Sequence, residues 1–203
     1  MSPTPTHKPP VYDRLAARYD RAFEPLEKWF LAGLRRAALN NLPREGYVLE
    51  VGAGTGLNFP YYPAGARGVA TELSSSMINI ADTKARPPGV YLVRNSAEQL
   101  PFDDDTFDAA LATLVFCSVA SPLEAFTELR RVVRPGGTIV LLEHVRPGGL
   151  LGYVFDALSV LTVALFDDHF NRRTADAARH ARLHVTSIKR RFFGVVQIIV
   201  CRA

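Results

Sequence analysis

Residues 48–58 read Val-Leu-Glu-Val-Gly-Ala-Gly-Thr-Gly-Leu-Asn, an apolar run that breaks into glycines at three alternate positions, Gly52, Gly54 and Gly56. Tyr47 to Val51 predicts a buried strand, and the glycines predict a tight turn at its carboxyl end. Glycine accepts positive φ and lets a ligand lie directly on the backbone, because no Cβ intervenes. Ligands of open α/β sheets collect at the carboxyl ends of the strands, so this turn marks a site for a nucleotide-like cofactor.

Spacing decides which cofactor. A dinucleotide loop follows G-x-G-x-x-G, and Leu57 stands where its third glycine belongs. The pattern found is G-x-G-x-G with Glu50 two residues ahead of it. That form suits S-adenosylmethionine (SAM), whose amino acid end needs close backbone approach and brings no phosphate. Val69 to Glu72 reads as a short strand ending in an acid 20 residues after Gly52. A carboxylate there can accept both ribose hydroxyls of an adenosine.

The rest of the chain supports an α/β sheet. Leu15, Tyr19, Phe23, Leu26, Phe30, Leu34 and Ala38 form a helical stripe within residues 11–41, with Pro25 expected to divide it in two. Strands are expected at 47–51, 68–72, 90–94, 108–114 and 138–143, with helices from about 56, over 74–85 and over 122–133. Such alternation predicts a parallel sheet with helices on both faces. His184–Lys189 and Val195–Cys201 are strand-like and joined by five residues, Arg190–Gly194. A parallel crossover needs about a dozen residues, so these two must pair antiparallel. The expected fold is a Rossmann-like, doubly wound seven-stranded sheet, mostly parallel, with a C-terminal antiparallel hairpin and N-terminal helices.

Length and composition fit one domain over residues 11–203, preceded by a disordered arm over 1–10 that is rich in Ser, Thr and Pro and resembles no signal peptide. Cys117 and Cys201 match no zinc or disulfide framework and read as reduced core residues of a cytoplasmic protein. No metal site is expected. Arg172, Arg173, Arg179, Arg182, Lys189, Arg190 and Arg191 fall in one twenty-residue stretch opposed only by Asp176. Such clustering points to an anionic partner or to a solvated face. Phe192 and Phe193 form no interleaved stacking pattern, which disfavours nucleic acid and leaves peripheral contact with an anionic membrane.

Leu150–Phe166 is strongly apolar, yet it lies between two strands that must share one sheet, which excludes a transmembrane span. Asp156, Ser159 and Thr162 fall on one helical face, with Leu151, Phe155, Leu158 and Leu165 on another. The segment is expected to be an amphipathic helix that roofs an acceptor pocket, within a helical cap over residues 149–182.

Several motifs carry a family resemblance: Val48–Asn58, Glu72, Ala97-Glu98-Gln99-Leu100-Pro101-Phe102, Phe107-Asp108, and the run from Leu129 to Gly137. The chain resembles the class I SAM-dependent methyltransferases of the UbiE-like group from about Val11 to its end. Asn58–Pro63, Thr113–Val119, Glu143-His144-Val145 and Leu165–Asp168 with Asn171 and Thr174 are similar to membrane-associated thiol S-methyltransferases. Tyr12-x-Arg14-x-Ala16-x-x-Tyr19-Asp20 is similar to bacterial phospholipid N-methyltransferases.

The resemblance implies SAM as cofactor and S-adenosylhomocysteine as product. It implies that the Glu50–Gly56 loop, with Gly52, Ala53, Gly54 and Gly56, holds the methionine portion, with Asn58 among the contacts. Glu72 would take the ribose, with Leu73 and Met77 flanking the adenine. Ser96 stands where many relatives carry an adenine-binding aspartate, with Ala97 beside it. Thr113, Val115 and Phe116 would face the methyl group, and Tyr12 and Tyr19 would close over the cofactor within a lid at residues 11–41. Phe116, Tyr12, Arg172 and Arg173 make up the implied acceptor pocket.

Methyl transfer from a sulfonium is an in-line displacement, and the protein chiefly aligns the reactants and excludes water. A base is needed only for an acceptor that is protonated at working pH. An amine, pKa about 10, must lose a proton, whereas a thiol, about 8.5, is already partly ionised. His144 at the end of the fifth strand is the leading base candidate, with Asp167, Asp168 and His169 after the roofing helix. Cys117 reads as packing. The residues leave three readings open: a methyltransferase acting on a small lipophilic nucleophile, with a thiol preferred; one acting on a phospholipid amine, with the arginines on phosphate; and a SAM-binding module without catalysis. A quinone carbon acceptor is a lesser form of the first.

Overall fold

The computed structural model describes residues 11–63, 65–166 and 169–203; the expected arm at 1–10 and the candidates Asp167 and Asp168 lie outside them. Helix α1 (Val11–Leu26) runs through a π-helical turn, Glu27–Leu31, into α2 (Ala32–Leu39). Pro25 sits in the last turn of α1, and the break falls just after it. The sheet strands are β1 (Glu45–Val51), β2 (Gly65–Glu72), β3 (Val90–Arg94), β4 (Phe107–Thr113), β5 (Val133–His144), β6 (His184–Arg191) and β7 (Val196–Arg202). Between them lie α3 (Ser75–Asp82), α4 (Pro122–Val132), α5 (Gly149–Phe166) and α6 (Thr174–His180).

The seven strands form one sheet in the order β3-β2-β1-β4-β5-β7-β6. β1 to β5 are parallel, and β7 is antiparallel to both β5 and β6. Ala109 to Ala112 and Ile139 to Leu142 are fully buried, as central strands covered on both faces must be. The chain leaves β1 toward β2 on one side and reaches β4 on the other, so a crevice opens between β1 and β4 at their carboxyl ends.

Two local expectations are corrected. No α-helix follows the glycine turn; a single 3₁₀ turn, Phe59–Tyr61, takes its place. Pro60 and Pro63 deny the backbone two of the N–H donors that a continuing helix needs. The fifth strand starts at Val133, directly from α4, and its pairing with β4 slips between Phe107 and Ala109.

Helix α5 has the two faces that its sequence shows. Its polar stripe faces inward: Asp156 is held by Arg146 at 2.7 Å and Ser159 donates to Asn171 at 3.0 Å. The Arg146 guanidinium holds the Asp156 carboxyl below the usual carboxylate range. Its leucine and valine face is in solvent, with Leu150 86% and Val160 74% exposed.

Candidate functional site

The glycine turn, the end of β2, the Asn95–Gln99 loop and the Thr113–Ser121 loop enclose a cavity of about 780 Å³ at the carboxyl edge. Gly54 has φ +57, and a Cβ built on it meets nothing within 4 Å, so bare backbone faces open space there. Gly52 and Gly56 are glycines for another reason: a Cβ would run into Val115 at 2.5 Å and Phe59 at 2.4 Å.

Glu72 lies across the cavity floor. Its carboxylate accepts from the Gly54 N–H and the Ser74 N–H, each at 2.8 Å. Burial pushes its pKa up, against the pull of those hydrogen bonds, and the nearby Asp13 carboxylate pushes the same way. A buried carboxylate with lone pairs still to fill suits a ligand rich in hydroxyl donors.

Behind the turn lies a buried polar network that the sequence did not reveal. Glu50 is fully buried and accepts from Asn58 and from the Tyr62 hydroxyl, each at 2.5 Å. Burial raises the Glu50 pKa despite these bonds, and burial beside Glu50 raises the Tyr62 pKa well above its ordinary value. Arg35, 5% exposed, donates to Asn58 at 3.0 Å, to Thr113 at 2.8 Å and to Glu27 at 2.9 Å, and it also lines the cavity. The π-helical turn carries Glu27 and so puts one end of the ion pair in place; such turns recur at functional sites.

Helix α1 is latched over the turn. Asp13 accepts from Ser74 at 2.5 Å and from the Ser76 N–H at 3.0 Å, while Asp20 accepts from Thr55 and from Lys84, each at 2.6 Å. At the far wall, Glu143 accepts from the Val115 and Phe116 N–H groups at 3.0 and 3.1 Å and fixes the loop after β4. Glu98 accepts from the Ala120 N–H at 3.0 Å and from Ser96.

Of the residues singled out from the sequence, Tyr19, Gly52, Ala53, Gly54, Glu72, Leu73, Met77, Ser96, Ala97, Thr113 and Val115 line this cavity. Glu50 and Asn58 stand behind it. Tyr12 belongs to α1, and nothing further is described of its side chain. Phe116, Arg172 and Arg173 meet at a second cavity of about 410 Å³, with Thr174 and His180. Phe116 stacks on Phe126 at 3.9 Å, and Arg172 donates to the Val119 carbonyl at 2.7 Å, so one loop walls both cavities. Of the base candidates, His144 and His169 fall elsewhere. His144 stacks on Phe170 at 4.3 Å, and the His169 N–H donates to the Cys117 carbonyl at 2.9 Å; neither lines either cavity. Cys117 is buried in packing.

Arg35 and Glu27 carried no readable sign, because an arginine within a helical apolar stripe reads as a solvated residue. Tyr62 and Glu98 stood inside quoted motifs and could have been found.

Residues 49–141 match the family model described as a methyltransferase domain. That match takes in just under half of the chain. It is 35% identical over 130 residues to phosphatidylethanolamine N-methyltransferase of Cereibacter sphaeroides, covering 62% of this chain and 64% of that protein. It is 36% identical over 106 residues to the human thiol S-methyltransferase TMT1B, covering 48% of this chain and 42% of that protein. The aligned stretches thus span less than two thirds of these relatives. Over 95% of its length the chain superimposes on 98% of a SAM-dependent methyltransferase from Thermotoga maritima, described as a possible histamine N-methyltransferase, with a TM-score of 0.74 at 23% identity. The stretch matched to the family model contains Gly54 and Glu72, which line the larger cavity, and the solved structure shares the fold.

Proposed function

We propose that the methyltransferase domain uses SAM to methylate a small lipophilic nucleophile, with a thiol preferred. The open space over Gly54, beside the buried Glu72 carboxylate, carries this reading. When bound, SAM supplies a methyl group already activated by its positive sulfur. The chain's own residues then bind, orient and exclude water. Glu72 accepts the ribose hydroxyls while the Gly54 N–H holds it in place. Ser96, Ala97, Leu73 and Met77 surround the adenine. Arg35, locked by Glu27, Asn58 and Thr113, offers its guanidinium to the methionine carboxylate. Glu27 pairs with this guanidinium, and the buried Glu50 lies close enough to feel its charge. Thr113 and Val115, held by Arg35 and Glu143, form the wall that the acceptor approaches. Helix α1, with Tyr19 facing the cavity and Asp13 and Asp20 as latches, acts as a lid.

The absence of His144 and His169 from the linings favours an acceptor that ionises by itself near neutral pH, as a thiol does. One observation favours a second reading, a phospholipid amine. The second cavity presents Arg172 and Arg173 beside Thr174, whose buried hydroxyl makes no hydrogen bond among the described residues. That set suits a head-group phosphate. The outward apolar face of α5 supports peripheral membrane contact under either reading, while among the described residues no helix is long and apolar enough to cross a membrane.

An acceptor screen separates the readings. S-adenosylhomocysteine formation is followed with alkyl and aryl thiols, with phosphatidylethanolamine vesicles, and with no acceptor. Thiol-dependent turnover is expected. Turnover on phosphatidylethanolamine alone replaces the first reading with the second, and none with any acceptor contradicts both.

A further inference from the structure

Two segments far apart in sequence put large aromatic side chains into solvent at one place. Trp29 and Phe30 of the π-helical turn are 76% and 50% exposed, and Phe192 and Phe193 at the tip of the β6–β7 hairpin are 47% and 97% exposed. The Phe30 and Phe192 rings meet edge to face at 5.6 Å, which joins the segments into a single patch.

The hairpin tip is unusual in its backbone as well. Phe192 and Phe193 both take positive φ, 50° and 56°, ahead of Gly194. Left-handed backbone is unfavourable for an aromatic residue, and asparagine or glycine would make this turn at less strain. The chain holds two phenylalanines there and leaves one almost wholly uncovered.

Cations dominate around the patch. Lys28, Lys189, Arg190 and Arg191 are exposed, the sequence contains no acidic residue after Asp176, and Glu24, one helical turn before Lys28, is the exposed acid nearest in sequence to the π-helical turn. Glu27, the acid of the π-helical turn, points inward to Arg35. The patch also lies at the carboxyl edge: Arg191 pairs with Val196, and Val196 with His144 at the end of β5. Arg35, four residues beyond the π-helical turn, reaches Thr113 at the end of β4.

We propose that this aromatic rim docks the protein on an anionic phospholipid surface, with its rings at the head-group level and the four cations on lipid phosphate. Aromatic side chains favour the membrane interface, and clustered Lys and Arg favour anionic lipid. A second copy of the chain is a poorer occupant, because a symmetric contact would set these cations against themselves. The inference rests on the membrane contact proposed above and moves its centre from α5 to the rim.

The only tryptophan of the chain is Trp29, so its fluorescence reports on the rim directly. The intact protein is mixed with phosphatidylglycerol–phosphatidylcholine vesicles, with phosphatidylcholine vesicles, and with versions carrying brominated acyl chains. A blue shift and bromine quenching are expected with anionic vesicles and should fade at high salt. Phe193→Asp touches almost no neighbour, so S-adenosylhomocysteine affinity should stay unchanged while vesicle affinity falls about tenfold. If the wild-type protein does not co-sediment with anionic vesicles at low salt, the membrane contact falls and the rim with it. Co-sedimentation with unshifted Trp29 emission and no effect of Phe193→Asp overturns the rim alone and leaves α5 as the contact. A blue shift that follows protein concentration without lipid assigns the patch to a second copy and overturns the proposal.

Discussion

At the cavity of the carboxyl edge, Glu72 and Arg35 in its lining and Glu50 behind it are each held by two or more hydrogen bonds. In α5 and the hairpin tip, by contrast, leucines, valines and Phe193 stand in solvent. Pre-set buried dipoles suit a ligand of fixed shape, which loses little entropy on arrival. Uncovered apolar surface costs stability in water and suits a partner that covers it. The proposals above give the two regions different tasks: one would recognise a defined polar molecule, the other would meet something apolar and extended.

Four changes test that division, the largest effect first. Gly54→Val should abolish S-adenosylhomocysteine binding by filling the open space, while vesicle association persists. Valine at φ +57 is also strained, so a thermal melt must accompany the titration. Arg35→Met combined with Glu27→Gln should weaken S-adenosylhomocysteine roughly 10- to 100-fold, the scale of a charged hydrogen bond. Binding of 5′-methylthioadenosine, which lacks the carboxylate, should hardly change. Equal loss for both ligands would make Arg35 a structural residue.

In α5, serine at Leu150, Val160 and Leu161 together should reduce vesicle affinity roughly fivefold and leave cofactor affinity alone. A fall in cofactor affinity would mean that α5 braces the cavity. The smallest effect is a pH slope. Burial raises the Glu72 pKa from 4.5 in the fold, so the native state holds its proton more tightly than the unfolded chain does. The cost of the ionised carboxylate is absent below 4.5, grows as pH rises through the folded pKa, and is full above it. Glu72→Gln should therefore gain on wild type in thermal stability as pH rises from 4 to 7 without ligand, and the opposite slope would contradict the burial argument.

The parallel sheet was legible because buried strands and the glycine turn are local patterns. The antiparallel hairpin was legible because five residues cannot cross a sheet. The π-helical turn was not, since nothing in Glu27–Leu31 distinguishes it from α-helix, and without it the Glu27–Arg35 pair is invisible. Periodicity showed the two faces of α5 but not which one turns inward, because that depends on Arg146 and Asn171, which hold Asp156 and Ser159. Residues that flank the glycine turn could be placed at the cavity from sequence because the turn itself puts them there. Chain position at a strand end does not fix where a ring points, so the setting of His144 against Phe170 was not legible.

The central claim is that the cavity at Gly54 and Glu72 is built for SAM and not for a dinucleotide. Isothermal titration of the intact protein with S-adenosylhomocysteine and, separately, with NAD tests it most directly. Micromolar or tighter binding of S-adenosylhomocysteine is expected, about 8 kcal/mol or more, with no measurable heat from NAD. Tighter binding of NAD than of S-adenosylhomocysteine would contradict the account.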